Sequence, residues 1–380
     1  MKKFATPCLF ILFFGCQSSP APQSDKTAPA SFSLQSVLGN ADLTGFARAD
    51  KPRTFAFPQD HGPHPDFRSE WWYITGNVDS SEGPFGFELT FFRQATAPTP
   101  TDKDANDSAW QTNQIYMAHA ALSDITQKQF YADERLSRGA LGLAGAQAEP
   151  FKVWLDDWSI TQGSDDTFQI ILKVKAKNFA LELQLTPTKE LVLQGDAGLS
   201  QKGQEPGNAS YYYSFTNMQV EGKISRRNDN LPVRGKAWMD REWSSSVLDS
   251  NQVGWDWFAL QLNDEQEIML YQLRKKGGGI SSQSGGTIVA PNNQTQKLNA
   301  DDTTITVTHW WTNPKSQTTY PAGWQIKVKG LEHTLHIKPR MADQELRFGL
   351  PYWEGAVDIF SQTHGQKLGH GYVELTGYAK

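Results

Sequence analysis

Hydrophobic and polar residues alternate with a period of two along much of this 380-residue chain. Phe85, Phe87, Leu89 and Phe91 are separated by Gly86, Glu88 and Thr90, and the preceding run from Trp71 to Val78 is aromatic and β-branched. Period two sends successive side chains to opposite faces, so both segments predict strands. Asp79-Ser-Ser-Glu-Gly-Pro84 between them has turn chemistry and joins them as a hairpin. The same alternation returns at Phe168, Ile170, Leu172 and Val174, turns at Lys177-Asn178, and resumes at Leu181, Leu183 and Leu185. Further strands are expected around Ile305 to Val307, Trp324 to Val328 and Leu331 to Ile337. No segment sustains an apolar stripe at helical spacing, so only short helices are expected. The 31 glycines, 20 prolines and 12% aromatic content fit a turn-rich, mostly β protein.

An internal echo suggests how the strands divide. Glu70-Trp-Trp-Tyr73 leads through a polar turn to Glu88-Leu-Thr-Phe-Phe-Arg93. In the second half Trp255-Asp-Trp-Phe258 leads through Asn263 to Gln266 and on to Met269-Leu-Tyr-Gln-Leu-Arg274. Each unit is a strand, a turn, and a strand ending in Arg. Two similar β domains are therefore expected, 46–230 and 231–380, cut at the polar stretch Arg226-Arg-Asn-Asp-Asn230. Many short antiparallel strands in domains of this size suggest closed or nearly closed barrels.

The N-terminus reads as an export signal. Lys2 and Lys3 precede an apolar run from Phe4 to Phe14, too short for a membrane-spanning helix. Phe13-Phe-Gly-Cys16 resembles a bacterial lipobox, which implies a signal peptide 1–15 and acylation of Cys16; the alternative is an ordinary signal with an incidental cysteine. Residues 16–45 then read as a flexible tether rich in Ser, Pro, Ala and Gln. Gln17 in place of Asp implies the outer membrane, facing the periplasm. Cys8 and Cys16 are the only cysteines, so the mature body carries no disulfide and no thiol nucleophile. A net charge of −5 without a basic stripe argues against nucleic acid as a partner.

Candidate chemistry gathers where aromatic and charged residues mix. Trp238, Trp243, Trp255 and Trp257 are four of the 13 tryptophans, and Asp240-Arg241-Glu242 and Asp256 lie among them. On a strand Asp240 and Glu242 share one face and Arg241 the other. Beside aromatic walls a carboxyl pKa rises, which suits Asp240 as a general acid, with Glu242 beside it. The same residues also read as a structural ion-pair network between the domains. Asp60-His-Gly-Pro-His-Pro-Asp66 is a loop whose His61 is a second catalytic candidate. His61 and His64 lack the helix and glutamate of a zinc motif, so no metal is assigned. Glu70, Trp72, Arg241, Trp243, Asp256, Trp257, Tyr213 and Glu354 are the candidate ligand-binding residues, with His61, Glu70 and Trp72 expected to converge on Asp240 from the other domain. Nucleophile elbows and phosphate-binding glycine loops are absent from the sequence, and no cofactor is expected.

Long motifs carry a family resemblance from about residue 50 to the end. They are Phe57-Pro-Gln-Asp-His-Gly-Pro-His-Pro-Asp-Phe-Arg-Ser-Glu-Trp-Trp-Tyr-Ile-Thr-Gly76, Ala140-Leu-Gly-Leu-Ala-Gly145, Gly207-Asn-Ala-Ser-Tyr-Tyr-Tyr-Ser214, Trp238-Met-Asp-Arg-Glu-Trp243, Gly254-Trp-Asp-Trp257 and Gly371-Tyr-Val-Glu-Leu-Thr-Gly377. Together they resemble the AttH/CrtC lipocalin-like family. The resemblance implies two packed calycin-like β-barrels and kinship with carotenoid 1,2-hydratases, which add water to an isoprenoid double bond. It also implies an apolar or amphipathic, lipid- or isoprenoid-like ligand and an Att-type ABC transporter as partner. Arg241-Glu242 departs from the hydratase branch, where a histidine-containing pattern stands. Three readings follow: a lipid-anchored envelope protein that binds such a ligand and chaperones or modifies it, a cofactor-independent hydratase or hydrolase with Asp240 as acid, and a structural lipoprotein.

Overall fold

The computed structural model describes Met1 and residues 43–99, 108, 110–163, 168–226, 229–246, 248–361 and 365–379. Residues 2–15 of the signal segment, Cys16 and most of the tether lie outside the described residues. Both sheets belong to one unit, Phe32–Lys380. Among the described residues the helices are two three-residue 3-10 turns, Gln59–His61 and Ala300–Asp302.

The first sheet comprises β1 (Ser69–Ser80), β2 (Gly83–Ala95), β3 (Gln114–Asp124), β4 (Gln129–Arg138), β5 (Ala144–Gln147), β6 (Lys152–Leu155), β7 (Trp158–Gln162), β8 (Ile170–Lys175), β9 (Phe179–Pro187), β10 (Val192–Leu193), β11 (Leu199–Gln201), β12 (Ala209–Arg226) and β13 (Asp229–Ser244). The second comprises β14 (Gln252–Leu262), β15 (Glu267–Lys275), β16 (Gly285–Val289), β17 (Thr295–Asn299), β18 (Thr303–Thr312), β19 (Thr319–Val328), β20 (Leu335–Pro339), β21 (Glu345–Leu346), β22 (Tyr352–Ser361) and β23 (Lys367–Leu375).

The linkers at the sheet edges show that both sheets curl into near-barrels. The first runs in the order β4-β3-β2-β1-β13-β12-β9-β8-β7-β6-β5, so its two edges are β4 and β5, consecutive in sequence. Residues 139–143 reach about 20 Å, whereas a flat sheet of that many strands is ~48 Å across. The second runs β17-β16-β15-β14-β23-β22-β20-β19-β18, and its edges β17 and β18 are joined by Ala300–Asp302 alone. That linker reaches about 14 Å against a flat width of ~38 Å. In each sheet the edges must come round to meet.

The chain passes from the first sheet to the second at residues 245–251, not at 231. Arg226 and Asp229 are register partners, so the boundary expected at 226–230 falls between β12 and β13, which pair within the first sheet. β13 also pairs along its length with β1.

Alternation assigns each face. Trp72, Ile74, Phe85, Phe87, Leu89, Phe91, Met239 and Trp243 fill the first barrel. Phe258, Leu260, Ile268, Leu270, Trp353, Val373 and Leu375 fill the second. The opposite faces of the same strands meet each other, and Tyr73, Tyr212, Trp238, Trp257, Ala259 and Met269 form a separate buried cluster between the barrels. Gly86 permits this approach: a Cβ there would stand 2.7 Å from both the Ala356 methyl and the Tyr372 hydroxyl of the other barrel.

Candidate functional site

The β1–β13 pairing places chemistry on both sides of one sheet. Tyr73 is the register partner of Asp240, and Trp72 that of Arg241. Asp240 and Glu242 therefore face the second barrel, while Arg241 and Trp243 face the interior of the first.

On the interior side, Glu70 is fully buried between two guanidinium groups, those of Arg93 and Arg241. Burial raises its pKa, but Arg93 and Arg241 outweigh that and hold the carboxyl well below its usual range. Arg241 also donates to the Gly62 carbonyl at 2.5 Å and lies 4.0 Å over the Trp72 ring. The loop of Asp60 to Asp66 folds onto this network. His64 stacks on Trp243 with centroids 3.8 Å apart and contacts Asp60 at 3.0 Å and Glu70 at 3.3 Å. His61 stacks on Phe168 at 3.8 Å, and its Nδ1 lies 2.7 Å from the Tyr213 hydroxyl. Burial, with Arg241 nearby, pushes His61 down to about 3, so the ring stays neutral.

On the other side lies a cavity of about 80 Å³ lined by Trp71, Tyr73, Thr90, Phe92, Lys202, Tyr212, Asp240, Glu242, Trp255, Trp257, Tyr271, Leu273, Tyr352 and Glu374. Trp71, Phe92, Trp255 and Tyr271 are partly exposed and mark its mouth. Asp240 accepts hydrogen bonds from Tyr212 (2.6 Å), Ser214 (2.5 Å) and Trp238 (2.7 Å). Burial raises it to about 7 despite these three donors. Glu374 accepts from Trp255 Nε1 at 2.9 Å and is likewise raised by burial to about 7. Glu242 accepts from Ser210 and lies 3.3 Å from the Lys202 ammonium. Lys202 sits over the Tyr271 ring at 4.5 Å and the Tyr212 ring at 5.1 Å. Burial opposes its charge, but Glu242 and Tyr271 outweigh it and raise the pKa. Behind the wall, Glu354 is 2.7 Å from the Tyr73 hydroxyl, and Glu88 accepts from Thr90 at 2.6 Å.

The cavity thus gathers Asp240, Glu242 and Trp257 from the sequence-derived candidates, with Glu354 one hydrogen bond behind. It does not gather the rest. Glu70, Trp72, Tyr213, Arg241 and Trp243 lie on the interior face of the first barrel, because alternation turns them away from Asp240, and the 3-10 turn holds His61 on that same side against Tyr213 and Phe168. The convergence of His61, Glu70 and Trp72 from another domain does not occur, since all three belong to the same barrel as Asp240. Trp71 rather than Trp72 lines the cavity. Asp256 points into the second barrel, where it pairs with Arg274 at 3.0 Å and accepts from Tyr378 at 2.9 Å. The internal echo extends to these ion pairs: Arg93 meets Glu70 in one barrel as Arg274 meets Asp256 in the other. Sequence reasoning did not select Tyr73, Glu88, Lys202, Tyr212 or Glu374 as site residues. For Glu88 the available signal was a carboxylate on the polar side of a strand, which reads as solvent-facing until a second sheet covers it.

Two near-barrel β domains with an aromatic, carboxyl-rich cavity between them define a double-barrel protein of lipocalin-like type. The chain belongs to the AttH-like family, whose model matches residues 48–378. It is similar to the solved structure of an AttH protein from Nitrosomonas europaea, with 36% identity over 88% of this chain and 100% of that one, and a TM-score of 0.77. Kievitone hydratase from Nectria haematococca shares the fold at 16% identity, covering 88% of this chain and 98% of its own, with a TM-score of 0.65. CghA, solved with Sch210972, shares it at 12% identity, covering 90% and 98%, with a TM-score of 0.54. No curated protein matches the chain significantly.

Proposed function

We propose that the cavity between the barrels binds an apolar or amphipathic small molecule and acts on it by acid–base chemistry without a cofactor. Addition of water to a double bond, or its removal, is the favoured reaction class. The observation that carries this reading is that Asp240 and Glu374, both held near pKa 7, line one cavity walled by Trp71, Trp255, Trp257, Tyr212 and Tyr271. A group with a pKa near the working pH can give or take a proton efficiently. Aromatic faces stabilise the positive charge that develops when an alkene is protonated. The fold shared with kievitone hydratase supports the reaction class.

The lipobox-like Phe13-Phe-Gly-Cys16 supports an acylated envelope protein, and the family resemblance supports work alongside an ABC transporter. The test of the catalytic reading uses prenylated phenols and acyclic isoprenoids incubated with the protein in ¹⁸O-water. Quenching of tryptophan fluorescence reports binding, and one ¹⁸O in the product reports hydration. Binding without ¹⁸O uptake for any compound would reduce the protein to a carrier. No binding at all would leave the cavity without a function. Labelling with a radioactive fatty acid, lost in Cys16→Ser, tests the anchor.

A further inference from the structure

Two phenol–carboxyl pairs both touch Trp257. In one, Tyr212 donates to Asp240 at 2.6 Å, and Trp257 Nε1 donates to the Tyr212 hydroxyl at 3.3 Å. In the other, Tyr73 and Glu354 lie 2.7 Å apart, and the Tyr73 ring stands edge-on to Trp257 with centroids 5.1 Å apart. Tyr73 comes from the first barrel and Glu354 from the second, so this pair exists only when the barrels are docked. Tyr73 and Asp240 are cross-strand partners on β1 and β13. Such partners hold their Cβ atoms roughly 5 Å apart, close enough for one small molecule and a water to touch both.

The two pairs differ in their hydrogen bonding. Asp240 accepts from three donors, which stabilises its carboxylate form. Glu354 has the single contact with Tyr73, its Oε2 is buried with no partner, and it makes no ion pair among the described residues. Its surroundings are Tyr73 on β1, Glu88 on β2, Tyr352 on its own strand, and Tyr372 and Glu374 on β23. The nearby Arg340 guanidinium is engaged elsewhere, 3.0 Å from Asn77 and 3.4 Å from Asp358. A bare oxygen on a buried carboxylate is costly; on a neutral acid it is only a spare carbonyl acceptor. Glu354 is therefore the neutral acid of the two.

We infer that Tyr73, backed by the Glu354 carboxylic acid, is the proton donor of the site, and that Asp240 beside it is the proton acceptor. This rests on the acid–base reading of the cavity above. In hydration of an electron-rich alkene, Glu354 gives its proton to the Tyr73 oxygen while the Tyr73 O–H proton passes to one alkene carbon. The π pair becomes the new C–H bond. A water lone pair forms the C–O bond at the other carbon, and Asp240 takes the proton that this water sheds. One proton has then moved from Glu354 to Asp240, and exchange with water at the mouth restores it. Tyr73 is the catalytic residue and Glu354 a positioning and proton-supplying residue behind it. Burial, with Glu374 and Glu88 nearby, pushes Glu354 well above the usual carboxyl range, in agreement with the assignment.

The test is infrared spectroscopy of the whole protein, with and without the isoprenoid enone β-ionone as probe. Without probe, protonated-carboxyl C=O absorption should persist at pH 8 in wild type, and one component of it should be lost in Glu354→Gln while that of Glu88, raised by burial to about 8, remains. With β-ionone bound, its C=O stretch should be lowered by a hydrogen bond from Tyr73. That shift should be lost in Tyr73→Phe and weakened in Glu354→Gln, while tryptophan quenching stays within twofold of wild type. Quenching with an unchanged C=O shift in Tyr73→Phe overturns the inference and leaves the binding reading standing. A carboxyl absorption at pH 8 that is absent, or that Glu354→Gln leaves unchanged, overturns it irrespective of any ligand. Absence of quenching by β-ionone in wild type counts against the binding reading as well as the inference. Glu354→Gln is close to isosteric and Tyr73→Phe removes one oxygen, so thermal unfolding of each checks that the fold is kept.

Discussion

The two faces of the β1–β13 ribbon contrast sharply. Inside the first barrel, Glu70 is matched by Arg93 and Arg241 and touched by His64. On the cavity side, Asp240, Glu374, Glu354 and Glu88 pair with no guanidinium among the described residues, and Lys202 is committed to Glu242. The same burial acts on both faces. Where cations accompany it, the carboxyl is held ionised and serves the fold; where they do not, the carboxyl climbs toward neutrality and becomes able to exchange protons. One residue of offset along β13 separates a structural Arg241 from a chemical Asp240.

The contrast breaks most visibly at Glu70. Glu70→Gln leaves Arg93 and Arg241 buried without their counter-ion, and removing one member of such a network costs about 3–5 kcal/mol. Urea unfolding should show that loss. A cost under about 1 kcal/mol, the range of an exposed pair, would mean the network is not what holds the loop of His61 and His64 in place.

Asp240→Asn should do the reverse. The amide keeps an acceptor for Trp238 and Ser214 but cannot take a proton, so turnover of any hydrated substrate should fall about 10²–10⁴-fold. Stability at pH 8 should hold or rise, because the buried charge is gone and no Arg is stranded. A large loss of stability at pH 8 would place Asp240 with the structural group.

The pH dependence separates the faces by sign. Asp240 and Glu374 have folded pKa values near 7, raised above their unfolded values of 3.8 and 4.5. Their contribution is fully present below the unfolded values and is lost as pH rises to about 7. Each group loses at most roughly 1.4 kcal/mol for every pH unit crossed between its unfolded and folded values. Glu70 is depressed below 4.5, so its contribution is present above that value and is lost as pH falls through its folded pKa. Thermal unfolding from pH 4 to 8 should therefore show wild type weakening with rising pH, and the double variant Asp240→Asn/Glu374→Gln should flatten that slope. An unchanged slope in the double variant would remove these carboxyls from the account.

Much of this was legible in the chain, because alternation is local. The β1–β2 hairpin and the opposite facing of Asp240 and Arg241 follow from period two alone, and family motifs carried the two barrels. What depended on docking was not legible. Glu88 reads as a solvent-facing carboxylate until the second sheet covers it, and Tyr73 meets Glu354 from 281 positions away. Lys202 follows β11 in the approach to β12, with no pattern to mark it. The polar run Arg226 to Asn230 looks like a domain linker because connections within a sheet and between domains share their composition. The faces were readable, but which face would be buried against another barrel was not.

His61 offers the finest cut between the two faces. A histidine in a motif-rich loop is the residue most readily credited with catalysis, since an unperturbed imidazole titrates near neutrality. Here the ring is neutral down to about 3, is held by Tyr213 and Phe168, and stands on the far side of the sheet from Asp240. It has neither a proton to give at pH 5–8 nor a path to the cavity. His61→Gln should thus cost about 1–2 kcal/mol of stability through the lost hydrogen bond and stacking, and should leave both the rate and its pH profile unchanged. If that variant instead shifted the pH optimum, the sheet would be transmitting chemistry between its faces, and assigning catalysis to the cavity side alone would fail.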